Sequence, residues 1–380
     1  MHLRSILAGL LSLGMTLGCG GGGGFTRTVT PTGILALAFG SDSFPGYSQA
    51  VVSLEKVEAT ADGGTWISLG NVKATYDLMA LQNGHAVSIL PATTVTAATY
   101  TQFRLTWATV NYSSAAHVPA YLVNSGGTEL PLALPTTTVV NGPITVPANG
   151  NLTALIMLSG QQAVQSRAGT PAYTFQATGR ATDLAASARI TGHLGDGATA
   201  LSGVEVFAET VDGSGLATMQ RRAFTDAFGN YVLEGLPTGS LYFVAAQPAG
   251  NLSAYAAQAA APVNATTATT TTANLAFSAP QTPGSLTLTV TPASTATQGT
   301  WGELRQTLTT GGAGSQTLIV RSQPMASGLA QDQAGILGLA PGTYGVTVQR
   351  STSGAAPVMK TGTQVLVSAG ATATSVLAYP

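Results

Sequence analysis

The stretch GLAPGTYGVTVQR, from Gly338 to Arg350, combines a turn with the start of a strand. Its glycines and proline favour a reversal of the chain, after which Tyr344, Val346 and Val348 alternate with small or polar residues. A period of two places these three side chains on one face of a strand, which we predict to point inward. The stretch therefore predicts the point at which a β-module folds its chain back.

Looser versions of this stretch occur twice more, as EGLPTGSLYFVAAQ from Glu234 and as AATYTQFRLTW from Ala97. A valine strand followed by a threonine-rich strand comes after two of the three copies. The distance to that valine strand is 27 residues in one copy and 26 in the other. A two-part pattern that recurs at the scale of a domain indicates related β-modules in tandem.

The amino-acid composition and its pattern limit the possible partners and the fold class of the protein. Charged residues make up 8% of the 380 residues and the formal net charge is -1, whereas typical soluble proteins contain about 25% charged residues. Because no basic or acidic run is present, the sequence argues against nucleic acid and against anionic substrates as partners. Short alternating runs broken by glycine and proline indicate an all-β protein.

We predict tandem immunoglobulin-like or transthyretin-like β-sandwiches. The boundaries follow from the repeats and from the proline-rich joint APQTPG. The predicted segments are a first domain at 31–185, a second at 186–279, a linker at 280–284 and a third domain at 285–380. We interpret the third domain as another module of the same general type.

The N-terminus has the layout of a secretory signal, with Arg4, an apolar run and small residues before Cys19. These residues resemble the bacterial lipoprotein signal, which implies a signal peptide at 1–18, acylation of Cys19 and a glycine-rich tether at 19–30. The resemblance further implies that a membrane is a partner through the lipid, and that the protein lies in the cell envelope at the outer membrane, periplasmic or surface-exposed. A signal that is simply cleaved and an inert buried Cys19 are the alternatives. The lone cysteine excludes an internal disulfide.

The second domain contains LSGVEVFAET followed by FTDAFGNYVLEGLPTGSLYF, and it resembles the carboxypeptidase regulatory-like domain, a transthyretin-type β-sandwich. The residues that match this family's pattern are Thr225, Asp226, Gly229, Tyr231, Leu236, Pro237 and Gly239. The family's next tyrosine falls one place late, at Tyr242, so that it either points outward or a bulge corrects the register. Asp226 is expected to cap a turn, and a calcium site with Asn230 is the alternative.

The first domain contains YDLMALQNGHAVSILPATTVTAATYTQFRLTW, and it resembles the bacterial lipoprotein domain known as domain of unknown function 4382. The matching residues are Asp77, Leu78, Leu81, Asn83, Gly84, Ala97, Thr99, Tyr100, Thr101, Gln102, Arg104 and Leu105. This family has no settled activity. The resemblance therefore supports a location in the envelope more than a reaction.

The sequence offers little for catalysis. His85, His117 and His193 lie far apart without neighbours at ligand spacing, and no nucleophile elbow or H-E-x-x-H pair occurs. We therefore predict that the protein is not an enzyme and needs no cofactor or metal.

Three residues are candidates for ligand binding. Trp301, in an expected loop, is a possible glycan platform, although packing is the alternative. Arg104 could anchor a carboxylate or form an internal ion pair, and Asp77 could pair with Asp42 or cap a loop. The doublet Arg221 and Arg222 is expected in a solvated loop.

Together these observations predict a noncatalytic, lipid-anchored envelope protein that serves as a structural or surface-binding element. The alternatives are a carbohydrate-binding adhesion protein and an accessory subunit of an exported enzyme. Envelope proteins and polysaccharide are the corresponding candidate partners.

Overall fold

The computed structural model describes residues 30–160, 163–165, 173–197, 199–249, 253–295, 298–312, 314–328, 330–352 and 357–379. Strands dominate these ranges, so the predicted all-β class is confirmed. The signal peptide, Cys19 and the glycine-rich tether lie outside the described residues. The chain from Pro31 onward forms one compact unit. Each of its sheets draws its strands from one of the three predicted domains, except that the first strand of the third domain begins at Gly284, the last residue of the predicted linker.

The described residues of the first domain form one 3-10 helix, Leu78–Leu81, and a single sheet of twelve strands. Its strands are β1 (Thr32–Ser41), β2 (Tyr47–Thr60), β3 (Ile67–Asp77), β4 (Val87–Thr96), β5 (Thr99–Trp107), β6 (Ala120–Asn124), β7 (Glu129–Ala133), β8 (Thr137–Thr145), β9 (Asn151–Ser159), β10 (Val164–Gln165), β11 (Tyr173–Phe175) and β12 (Thr178–Asp183). The order in the sheet is β10-β11-β7-β6-β2-β5-β8-β12-β9-β1-β4, and β3 pairs with β2.

This continuous sheet differs from the two separate sheets of a simple sandwich. It folds over one apolar core, because residues from distant strands of the sheet meet there: Leu37 and Phe39 of β1 share the core with Leu54 of β2. The ring of Phe39 also meets that of Tyr76 in β3 edge to face, with centroids 5.7 Å apart. Strand β1 pairs in parallel with β9. The sheet is therefore continuous at this point, whereas a sandwich consists of two separate sheets.

The second domain has two smaller sheets around its own core. Its strands are β13 (Ala188–Gly195), β14 (Glu205–Val211), β15 (Ala217–Phe224), β16 (Asn230–Leu236), β17 (Leu241–Ala246), β18 (Gln258–Ala259), β19 (Val263–Asn264), β20 (Thr270–Thr272) and β21 (Leu275–Ala276). One sheet has the order β16-β13-β20 with β21 on β13, and the other has β15-β14-β17-β18 with β19 on β17. Strands β15 and β16 are therefore edge strands.

The third domain repeats this plan. Its strands are β22 (Gly284–Thr291), β23 (Gln298–Thr310), β24 (Gly314–Pro324), β25 (Ala326–Ser327), β26 (Asp332–Leu339), β27 (Gly342–Thr352), β28 (Val358–Thr361), β29 (Val365–Val367) and β30 (Thr372–Ala378). The sheets have the orders β25-β26-β22-β30 and β24-β23-β27-β28, with β29 on β27.

The repeated turn forms the same buried corner in all three domains. In each copy the tyrosine is at most 2% exposed, and its hydroxyl donates to a backbone carbonyl just upstream. The three bonds are Tyr100 to Thr96 at 2.8 Å, Tyr242 to Pro237 at 2.8 Å and Tyr344 to Ala340 at 2.7 Å. A buried tyrosine hydroxyl needs such a partner, so the repeat encodes a structural corner and not a ligand site.

The register of Tyr242 is resolved without a bulge in its strand. Leu241 is 41% exposed and Tyr242 is fully buried, so the tyrosine points inward. The ladders of β17 with β14 and β19 are regular. The extra residue lies in the turn before Leu241, which is why the Tyr242 bond spans five residues instead of four.

Candidate functional site at the junction of the three domains

Trp301 does not lie in an exposed loop, contrary to the prediction. It belongs to β23, is 2% exposed and donates its indole N–H to Ser322 Oγ. The neighbouring glycines were misleading because they allow close packing instead of a turn. A Cβ at Gly299 would lie 2.1 Å from the amide nitrogen of Gln165, and one at Gly302 would lie 2.8 Å from Leu288.

Asp77 and Arg104 each have partners within the first domain. Asp77 Oδ1 accepts hydrogen bonds from the N–H groups of Ala50 and Met79, both at 3.0 Å, and so caps the 3-10 helix. Arg104 Nε donates to Glu58 Oε2 at 2.8 Å. Both contacts match the structural alternatives for these residues.

The doublet of Arg221 and Arg222 is buried, which corrects the prediction of a solvated loop. Both residues belong to β15. Arg221 Nε donates to the carbonyl oxygen of Glu234 at 3.1 Å, within the second domain. Arg222 Nε donates to the carbonyl oxygen of Ser43, in the first domain, also at 3.1 Å. Two adjacent arginines indicate an exposed surface only where no other part of the protein packs over their strand.

The residues around Arg222 define what we call the junction: Ser43, Glu205, Arg222 and Trp301. Arg222 Nη1 lies 3.3 Å from Glu205 Oε1, which also accepts from Ser43 Oγ at 3.3 Å. The Arg222 guanidinium carbon is 5.1 Å from the centre of the Trp301 ring. The junction thus joins one residue of the first domain, two of the second and one of the third.

Burial governs the electrostatics of the junction. Burial raises the pKa of Glu205 above its usual value, and the charge of Arg222 opposes that rise. The pKa of the neighbouring Asp42 is also raised by burial, against the charges of Arg221 and Arg222. An ion pair enclosed in this way costs desolvation energy and is strongly destabilising to break.

The junction leaves almost no open space. A cavity of about 10 Å³ lies beside it, lined among others by Asp42, Arg221 and Arg222. That volume corresponds to about one water molecule. The arrangement can therefore hold domains together, but it offers no room for a substrate.

A second interface joins the second and third domains. Glu209 Oε2 accepts from the N–H of Ile319 at 2.8 Å, and Arg305 donates to the carbonyl oxygen of Ala217 at 2.9 Å. Leu318 packs in a buried apolar cluster with Phe243. The pKa of Glu209 is raised well above its usual value by burial. The two domains therefore meet across a desolvated surface.

The motif DLMALQNG of the first domain docks onto the second domain, which the sequence did not reveal. Gln82 Oε1 accepts from the N–H of Phe224 in β15 at 3.2 Å, and Asn83 Oδ1 accepts from the N–H of Val232 in β16. Since β15 and β16 are edge strands, these amides cover backbone donors that would otherwise face solvent. The positive φ angles of Asn83 and Gly84, 61° and 80°, shape this turn.

The remaining predicted features have local roles in the structure. Asp226 Oδ1 accepts from the N–H groups of Phe228 and Asn230, both at 2.8 Å, as expected for a capped turn. His117 Nδ1 lies 2.9 Å from Glu129. In the described ranges, no group of three or more His, Cys, Asp and Glu residues is placed to hold a metal ion. The same ranges contain no helix long and apolar enough to cross a membrane.

The comparison with protein families supports the assignment of the first domain. Residues 33–176 match the family described as Domain of unknown function (DUF4382), which confirms the predicted resemblance. The similarity of the second domain to the carboxypeptidase regulatory-like domain stays a prediction. No curated protein matches the chain.

Solved structures are similar only at a low level. The Bacillus anthracis TIE protein is 11% identical, with 91% of this chain and 50% of that chain covered and a TM-score of 0.20. The Streptococcal ancillary pilin is also 11% identical, with coverage of 91% and 99% and a TM-score of 0.21. The shaft pilin spaA from Lactobacillus rhamnosus GG is 13% identical, with coverage of 50% and 97% and a TM-score of 0.20. The chain thus spans half the length of the first of these proteins.

Proposed function

We propose that the protein is a noncatalytic, lipid-anchored element of the cell envelope that holds three β-domains as one rigid body and binds partners through its surface. The junction is the observation that carries this proposal. Its buried contacts join all three domains directly, whereas domains connected by linkers alone would move independently. A body of this kind suits a structural or surface-binding role at the outer membrane.

The chemistry of the described residues supports a role without catalysis. Arg222, Glu209 and Arg305 are buried charged residues, and each of them is engaged in a contact between domains. Burial of Trp301 argues against this residue as a glycan platform, and carbohydrate binding stays a prediction. The role of an accessory subunit for an exported enzyme stays a prediction, which co-purification from membranes would test.

The anchor is tested at Cys19. Wild type should fractionate with membranes and incorporate labelled palmitate, because two or more acyl chains bind a bilayer stably. The variant Cys19→Ala should lose both properties, and Thr26→Ala in the tether should keep them. If Cys19→Ala remains in the membrane fraction and takes up as much palmitate as wild type, the lipid anchor is wrong.

A further inference from the structure

Strands β23 and β27 of the third domain diverge at one end and leave a groove between them. Their antiparallel ladder ends at the pair Arg305 and Gly345. Beyond this pair β23 continues with β24 as far as Thr310, whereas β27 pairs with β29 on its other side at Gly342–Tyr344. Among the described residues, no strand is paired with the facing edges of β23 and β27 at this end.

The groove has the volume of a binding site for a short segment. It measures about 490 Å³, within the range of roughly 300–1,000 Å³ that is usual for ligand sites. Amide and hydroxyl side chains line it together with small apolar ones. These residues include Gln306, Thr307, Thr343, Gln364, Ala256 and Ala257.

Among the described residues that line the groove, the only charged side chain is that of Arg305, and it is already engaged. Arg305 donates to the carbonyl oxygen of Ala217 at 2.9 Å and to Glu303 at 2.7 Å, and it is 5% exposed. The surface that remains for a ligand is therefore neutral. Such a lining disfavours phosphates, carboxylates and other charged ligands, whose desolvation it could not offset.

One side-chain amide already donates to the backbone across the groove. The side-chain amide of Gln306 donates to the backbone carbonyl oxygen of Thr343 at 3.3 Å, where the ladder between the two strands has ended. An extended segment entering here could replace this contact with main-chain hydrogen bonds to the edge of β23. Of the lining residues that the structure describes, none has an aromatic ring on which a sugar could stack.

We propose that this groove binds an extended, uncharged peptide segment of a partner protein, which adds as a strand to the free edge of β23. Alternate side chains of the segment would point toward Ala256 and Ala257 and toward solvent, as the pleat of a strand requires. This inference rests on the surface-binding part of the proposed function, and it is independent of the lipid anchor.

The test fills the groove without disturbing the fold. A Cβ at Gly345 would meet its nearest neighbours, both atoms of Arg305, at 3.7 and 3.8 Å, which is ordinary contact. Gly345→Val should therefore fold and occupy the groove. Gly335→Val is the matched control, because Gly335 lies in β26 and a Cβ there would meet no atom within 4 Å.

The full-length protein, purified in detergent, is applied to an array of uncharged heptapeptides with alternating small and β-branched residues. We expect binding to a subset of peptides, a loss of at least tenfold in affinity with Gly345→Val and a change of less than twofold with Gly335→Val. Backbone N-methylation at alternate positions of a bound peptide should abolish binding, because it removes the donors that pair with a strand.

Three outcomes would overturn the proposal. They are binding to no peptide, equal binding by Gly345→Val and wild type, and binding to neutral oligosaccharides alone on a parallel array. Membrane fractionation of Cys19→Ala is unaffected by any of them, so failure of the groove and failure of the anchor are distinguishable.

Discussion

Arg104 and Arg222 have the same kinds of neighbours in different surroundings. Each lies beside a glutamate and over a tryptophan ring. Arg104 Nε is 2.8 Å from Glu58, and its guanidinium carbon is 4.3 Å from the centre of the Trp66 ring. This group lies within the first domain, and the Arg104 side chain is 27% exposed.

The corresponding group around Arg222 is enclosed by three domains. The Arg222 side chain is fully buried and Glu205 is 5% exposed. Ser43 reaches this group from the first domain and Trp301 from the third. The geometry of the ion pair is looser than that of Arg104 with Glu58, at 3.3 Å against 2.8 Å, yet both of its side chains are buried.

The two glutamates show what this difference means. The hydrogen bond from Arg104 lowers the pKa of Glu58, whereas burial raises the pKa of Glu205 despite the charge of Arg222. The same pair of residue types is thus favourable where water still reaches it and costly where it does not. Access of solvent, and not the identity of the partner, decides the energetic role of each pair.

The largest expected effect is that of Arg222→Met. This change leaves Glu205 buried without its cationic partner and removes the donor to the carbonyl oxygen of Ser43. We expect a loss of about 3–5 kcal/mol in the free energy of unfolding, as for other broken buried pairs, measured by urea denaturation. Small-angle scattering should show a larger radius of gyration as the domains separate.

Arg104→Met is the matched control for this change. Glu58 keeps Lys56 at 3.1 Å as a second cation, and partly exposed ion pairs contribute about 0.2–1 kcal/mol. We expect a loss in that range and an unchanged radius of gyration. Equal losses in the free energy of unfolding for Arg222→Met and Arg104→Met would show that the buried ion pair at the junction contributes no more to stability than a partly exposed one.

A smaller effect is expected for Trp301→Phe. Phenylalanine lacks the N–H that donates to Ser322 and presents less ring to Arg222. We expect a loss of about 1–3 kcal/mol from the unpaired hydroxyl and the lost contact, read from thermal unfolding. Trp66→Phe should change stability by less than about 0.5 kcal/mol, as for most substitutions outside a core, because Trp66 is only half-buried. A larger loss of stability for Trp66→Phe than for Trp301→Phe would contradict the comparison between the partly exposed and the enclosed arginine groups.

The smallest effect is a difference in pH dependence. Because the pKa of Glu205 is raised on folding, the folded chain binds this proton more tightly than the unfolded chain does. The resulting stability is fully present below the unfolded pKa of about 4.3 and is lost as the pH rises through the folded pKa. The unfolding free energy of wild type relative to Glu205→Gln should therefore decrease from about pH 4.3 toward neutral pH.

Glu58→Gln should show the opposite sign. Its folded pKa is lowered, so its contribution is present above about pH 4.3 and is lost as the pH falls through the folded pKa. Both slopes of the unfolding free energy against pH are measured by denaturing the two variants at pH values from about 3 to about 8. A parallel pH dependence for Glu205→Gln and Glu58→Gln would contradict the account of solvent access.

Much of the fold was predictable because it depends on local periodicity. The alternation of Tyr344, Val346 and Val348 places all three in the core, as predicted, and they are fully buried. The turn before each tyrosine follows from its glycines and prolines. The family of the first domain was also predictable, because the residues that carry the resemblance, from Asp77 to Leu105, lie close together in the chain.

The candidate site was not predictable, since its contacts join distant parts of the chain. Ser43 and Arg222 are 179 residues apart, and nothing near either residue indicates the other. The prediction that Trp301 lies in a loop was wrong because the sequence does not distinguish glycines that permit close packing from glycines that form turns. The arginine doublet was misread because charge alone suggests exposure.

The sequence by itself determined the all-β class, the repeated tyrosine corner and the family of the first domain, because each depends on residues near one another in the chain. Tertiary structure decided which charged residues are buried, that the motif DLMALQNG accepts hydrogen bonds from β15 and β16, and where a groove remains open. Those outcomes depend on which surfaces meet when the domains pack, and burial changes the energy of a charge far more than its sequence neighbours do.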